Sequence, residues 1–218
     1  MFRPGRLLTL ATFAFIVYMG FYAVPGNAPG AADFDPQVVA RHEVAVWQAA
    51  AVQGEFSTIV SCILYQRELH RMSWFRAAES GMALARAIGQ FWLMTSRFDR
   101  VGPQFEEVAT IERTWKGAAF DAAVVGRHQA TWMSIMRDPR QTSNSQRAVS
   151  EMAEDLGLRF GLPSGYMMSV ASDRTEAYGP ILRRGSSPDW EHVTLLLNRS
   201  YATLKTTLSR AADARTGS

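Results

Sequence analysis

Residues 187–208 read SPDWEHVTLLLNRSYATLKTTL, and their spacing decides the fold. Trp190, Val193, Leu197, Tyr201, Leu204 and Leu208 recur at steps of three and four. That period puts one apolar face on an α-helix, and so long a face is buried against a core. Ser187 is expected to cap this helix, with Pro188 where a helix start tolerates a missing N–H. Asp189 adds a charge suited to the helix N-terminus.

The same grammar extends toward the N-terminus. No run of alternating β-branched residues interrupts it, so strands are not expected. The spacing predicts a helix over about 35–71, with Asp35 as cap and Pro36 in the first helical position. Further helices are expected over about 73–97 and 103–116, and from Asp121 to before Asp138-Pro139. Another leads from the 142–145 loop to near Gly157, and a shorter one follows Pro163. The expectation is an all-α chain: an antiparallel bundle of about six to seven helices over 34–212, with 213–218 as a flexible C-terminus.

One phrase occurs twice. Residues 34–42 read FDPQVVARH and residues 120–128 read FDAAVVGRH, identical at six of nine positions. With Asp as cap, the Phe before it and the second Val form the pair that staples a helix start. The repeat is therefore first of all one helix-start device used twice. What remains is an Arg-His pair, which makes His42 and His128 the candidate cofactor-binding residues. Trp47 and Trp132 follow at offsets differing by one residue.

The phrase, with Glu43 and Trp47 after the first copy and Gln129 and Trp132 after the second, resembles an uncharacterised group of bacterial all-helical proteins. In that group a repeated Phe-Asp helix start leads to Glu or Gln and then Trp. The resemblance implies a helical fold and no known activity. Gln129 departs from the acidic residue, which weakens a paired-carboxylate site.

Leu7 to Val24 carries no charge over eighteen residues. As a helix it would span roughly 27 Å, near the thickness of a bilayer core. Arg3 and Arg6 precede it, and no basic residue follows before Arg41. The positive-inside rule then puts residues 1–6 in the cytoplasm, 7–24 across the bacterial inner membrane and the rest in the periplasm. Residues 25–33 form a Pro/Gly/Ala linker. Leu7, Phe13, Phe15, Ile16, Tyr18, Phe21 and Tyr22 are the expected anchor residues. A cleaved signal peptide competes with this reading, with Gly30-Ala31-Ala32 as cleavage site, but its apolar core is usually only about 7–15 residues long.

Composition narrows the partners. The net charge of +3 includes Arg3 and Arg6, which leaves no clustered basic surface for nucleic acid. The one cysteine, Cys62, excludes an internal disulfide and is expected as a small buried hydrophobe. None of His42, His70, His128 and His192 has Glu three residues before it, as a di-iron bundle requires. Zinc, haem-attachment, phosphate-loop and nucleophile-elbow motifs are missing from the sequence. No metal site and no cofactor are expected. Glu106, Glu107, Glu112 and Arg113, and likewise Glu151, Glu154 and Asp155, read as solvated faces. Trp74, Phe75, Phe91, Trp92 and Trp115 read as core.

A single span, a short linker and a helical domain without recognised chemistry suggest a non-catalytic, membrane-anchored accessory subunit. Its expected partners are the lipid bilayer and other subunits of a membrane complex, energy-transducing ones (respiratory or photosynthetic) among them. The alternatives are a haem- or pigment-binding periplasmic domain using His42 and His128, and an enzyme whose site matches no known motif.

Overall fold

The computed structural model describes Thr12 and residues 32–94, 96–138, 145–183 and 187–216. The expected span, 7–24, apart from Thr12, and all its named anchor residues therefore lie outside the described residues. Among the described residues, no helix is long and apolar enough to cross a membrane.

The fold starts from its two Asp caps. Asp35 Oδ1 accepts from the backbone N–H of Gln37 at 2.9 Å and of Val38 at 3.4 Å. Asp121 Oδ1 accepts from Ala123 and Val124 at the same two distances. Each cap satisfies donors that a helix start leaves orphaned. Phe34 with Val39, and Phe120 with Val125, are buried beneath them. These caps open α1 (Pro36–Ala51) and α5 (Ala122–Arg137). The other helices are α2 (Glu55–His70), α3 (Trp74–Leu93), α4 (Gly102–Lys116), α6 (Ser145–Phe160), α7 (Met168–Leu182) and α8 (Trp190–Thr216). Short 3-10 turns at Phe98–Val101 and Ser164–Met167 precede α4 and α7. The described residues are thus all-α, with eight helices and no strand.

The helix expected over 35–71 is two helices. Unbroken, it would be about 55 Å long, more than a domain of this size can cover. Instead Gln53 takes φ 55°, Gly54 N–H donates to Ala49 O at 3.0 Å, and the Ser57 and Thr58 hydroxyls donate to Gly54 O. The hairpin lets both apolar faces reach one core. Asp35 at the start of α1 lies against Glu68 near the end of α2, so the pair runs antiparallel. The second helix ends at Leu93, short of residue 97, because Met94 turns to extended backbone. The short helix expected after Pro163 is a 3-10 turn running into the fifteen residues of α7. The last helix is capped by Asp189, whose carboxylate accepts from the N–H groups of Glu191 and His192, and not by Ser187. It continues through 213–216, which had been expected to be flexible.

Close backbone approach joins the hairpins. A Cβ added at Gly81 would lie 2.6 Å from the Ile63 backbone, and one at Gly126 would lie 2.6 Å from Glu106 N. Only glycine permits these contacts between α2 and α3 and between α4 and α5. α8 then closes the bundle against α1 and α7. Val193, Leu197, Tyr201, Leu204 and Leu208 are buried as the stripe requires, with Leu196 and Ser200 beside them. Cys62 is buried too, and burial pushes its thiol pKa up.

Candidate functional site

Eight residues beyond each Asp cap, the repeated phrase places a polar side chain facing the interior. In the first copy it is Glu43, 4% exposed. Its Oε1 accepts from Arg174 Nη2 at 2.5 Å and from the Tyr178 hydroxyl. Its Oε2 accepts from the Tyr201 hydroxyl at 2.7 Å. Arg174 Nη2 also donates to the Tyr178 oxygen at 2.8 Å, and the Tyr65 hydroxyl lies 3.0 Å from that of Tyr201. Burial works against the Arg174 cation, but Glu43 overcomes it and holds the guanidinium charged. Burial pushes Tyr65, Tyr178 and Tyr201 toward their neutral hydroxyl forms.

In the second copy the residue is Gln129, whose Oε1 accepts from Arg159 Nη2 at 2.6 Å. Because Gln129 carries no charge, two other carboxylates balance this arginine. Arg159 Nε donates to Asp155 Oδ1 at 2.6 Å, and Nη1 donates to Glu112 Oε2. Glu112, 1% exposed, also accepts from Gln66 Nε2 at 3.2 Å and meets His70 Nε2 at 3.3 Å. Burial opposes its charge, yet Arg159 and then His70 hold its carboxyl well below the usual carboxylate range. Burial, reinforced by Lys116 and resisted by Glu112, takes His70 down to about 4. His70 is therefore neutral at pH 7. Its Nε2 must carry the proton offered to Glu112, which leaves Nδ1 as a bare acceptor.

The two clusters line one cavity of about 80 Å³, to which all eight helices contribute. Trp47 and Trp132, the tryptophans of the two copies, flank Tyr178 with ring centroids 5.4 and 5.1 Å away. A space of this size has room for a few water molecules and for no organic substrate. Glu43, Glu112, Asp155, Arg159 and Arg174 are each paired within it, the condition under which buried charge is tolerated.

Of the larger hollows open to solvent, two bear on function. One, of about 660 Å³, lies where α2, α4 and α6 end. It shares Leu69, His70, Arg159 and Phe160 with the inner cavity. Lys116 lines it; burial takes its pKa down to about 8, with Glu112 resisting. The other, of about 790 Å³, is a groove between α2 and α3 walled by Ala50, Ile59, Met82, Ala85, Trp92 and Leu93. Val52, Phe56 and Leu93 stand 77, 80 and 76% exposed about this hairpin.

His42 and His128 each stand one position before the inward residue, about 100° around the helix. They have separate partners. His42 lies near Glu68 and Arg41, with burial lowering its pKa, whereas His128 Nδ1 meets Glu151 Oε2 at 2.7 Å. His192 pairs with Glu176 at 3.7 Å. Among the described residues, no three His, Cys, Asp or Glu side chains gather as a metal site would need.

Two groups expected as solvated faces are in part buried. Glu112 and Asp155 are buried, because each continues the apolar stripe of its helix: Phe105, Val108 and Ala109 before Glu112, and Ala148, Val149 and Met152 before Asp155. That register was the available signal. Glu43, falling among Val39, Ala40, Val44 and Trp47, gave the same one. Tyr201 was placed inward by the stripe of the last helix, whereas Tyr65, Gln66, His70, Arg159, Arg174 and Tyr178 had no motif to announce them. Trp74 and Phe75, expected in the core, are exposed, and Arg67 lies over the Trp74 ring at 4.2 Å. Phe91 is fully buried; Trp92 and Trp115 are partly so.

Compared with known proteins, the chain matches no family model, no curated protein and no solved structure.

Proposed function

We propose that this chain is a non-catalytic accessory subunit of a bacterial membrane complex, anchored by residues 7–24, with its helical domain in the periplasm. The observation that carries the reading is the exposed apolar groove between α2 and α3. An exposed apolar groove with a polar rim is the form a docking surface takes. Its rim is polar and of mixed sign, with Glu55, Glu79, Arg86 and Glu107, the anatomy of an interface with an apolar centre. A groove between two helices fits a third apolar helix. The occupant is a helix of a neighbouring subunit. The short linker keeps the domain near the membrane, where such a helix emerges.

The test is photo-crosslinking in native membranes, with a photoreactive amino acid at Met82 and a control at exposed Thr114. One discrete heavier product from position 82, absent from position 114, supports the reading. So does co-migration of the full chain with a large complex after mild detergent extraction. Labelling of lipid alone, or recovery only as free monomer, overturns it.

A further inference from the structure

The cleft at the ends of α2, α4 and α6 has chemistry that the docking role does not use. Its lining includes His70, Arg71, Lys116 and Arg159 and, among the described residues, no carboxylate. Basic residues near helix C-termini are ordinary, because they answer the exposed carbonyls there. Here one such carbonyl at each helix end is already served. Trp115 Nε1 donates to His70 O at 3.0 Å, Ala118 N to Arg113 O, and Leu162 N to Gly157 O. Lys116 serves none of them. Among the described residues its Nζ is buried, makes no hydrogen bond and sits 4.4 Å from the centre of the Phe160 ring, with Glu112 acting on its charge only through space. His70 Nδ1 is likewise buried without a hydrogen-bond partner. A buried ammonium and a buried acceptor each lose free energy when left unmatched. The residues that line the cleft therefore include a donor without an acceptor and an acceptor without a donor. Trp115, Phe120, Leu158, Phe160 and Leu162 supply the apolar surface, and about 660 Å³ suits a small organic ligand.

We propose that this cleft binds a small 2-hydroxy carboxylate with an apolar body, its carboxylate on Lys116 Nζ, its hydroxyl donating to His70 Nδ1, and its body against Trp115, Phe120 and Leu158. Phe160 covers the ammonium and turns aside to admit the carboxylate. It is the last residue of α6, followed by Gly161 at φ 66°, where the helix has already ended. The neighbouring Arg159 stays with Glu112 and Asp155 and takes no direct part.

The test is calorimetric titration of the full chain, in non-ionic detergent at pH 7, with three probes: 3-phenyllactate, 3-phenylpropionate and 3-phenylpropanol. The expected order of affinity is the order just given. The alcohol should be at least about tenfold weaker than the hydroxy acid, as loss of a charge-assisted hydrogen bond implies. Lys116→Met should bring the acids down to the alcohol's affinity and leave the alcohol unchanged. The wild-type comparison needs no variant to fold. An alcohol that binds as tightly as the acids, no binding by any probe at millimolar concentration, or equal affinity of phenyllactate and phenylpropionate would each overturn the proposal.

Discussion

Arg174 on α7 and Glu43 on α1 meet in the middle of the bundle, Nη2 to Oε1 at 2.5 Å across 131 positions of sequence. Among the described residues, Glu43 is the one carboxylate bonded to this arginine, whereas Arg159 has two. Removing one partner of a buried pair strands a charge, which costs about 3–5 kcal/mol. Glu43→Gln should therefore destabilise the domain by about that amount in urea unfolding. Asp155→Asn should cost clearly less, because Arg159 retains Glu112. Equal losses would contradict this division of the network.

Acid should weaken the protein in two stages. An unfolded histidine titrates near ~6.5, and folded His70 near about 4. Between those values the unfolded chain binds more protons, so stability falls as pH falls, by at most about 1.4 kcal/mol per pH unit for one group. Below the ordinary carboxylate range, Glu112 adds a second loss as its depressed carboxyl is forced to protonate. Denaturation curves between pH 7 and 4.5 should flatten in His70→Asn. A residual slope belongs to His42, whose pKa is also lowered.

Base should have the opposite effect at first. Lys116 gives up its proton near about 8 in the fold and near ~10.4 when unfolded. As pH rises from about 8 toward 10, the cost of burying its charge is relieved and stability increases. Lys116→Met should abolish that increase and be no less stable than wild type at pH 7. Thermal unfolding at pH 7, 8 and 9.5 reads the difference.

Three glycines should respond differently to the same substitution. Gly81→Ala and Gly126→Ala drive a methyl against backbone that cannot yield, at a cost of about 1–3 kcal/mol or more. Gly89, also within α3, has nothing within 4 Å of an added Cβ. Gly89→Ala should stabilise by about 0.5–1 kcal/mol, the helix penalty of glycine. Melting temperatures of the three variants decide it.

The all-helical architecture, the Asp caps at 35 and 121 and the buried stripe of α8 were legible in the sequence. Each rests on residues within a turn or two of one another, where periodicity and capping act locally. Gly54 was also visible, but a lone glycine does not say whether a helix bends, continues or reverses. The need to bury both halves against one core decided that. The sealed centre was legible only as three acidic residues, Glu43, Glu112 and Asp155, standing in register with apolar stripes. Their partners come from helices far away in sequence, and nothing local favours Arg174 over any other arginine. Tertiary packing alone chose which charges meet. It separated His42 from His128 by giving each its own neighbour, and it left Lys116 Nζ and His70 Nδ1 without a hydrogen bond beside an open cleft. Local periodicity sets which face of a helix turns inward, and the long-range assembly of those faces sets what each buried group finds there.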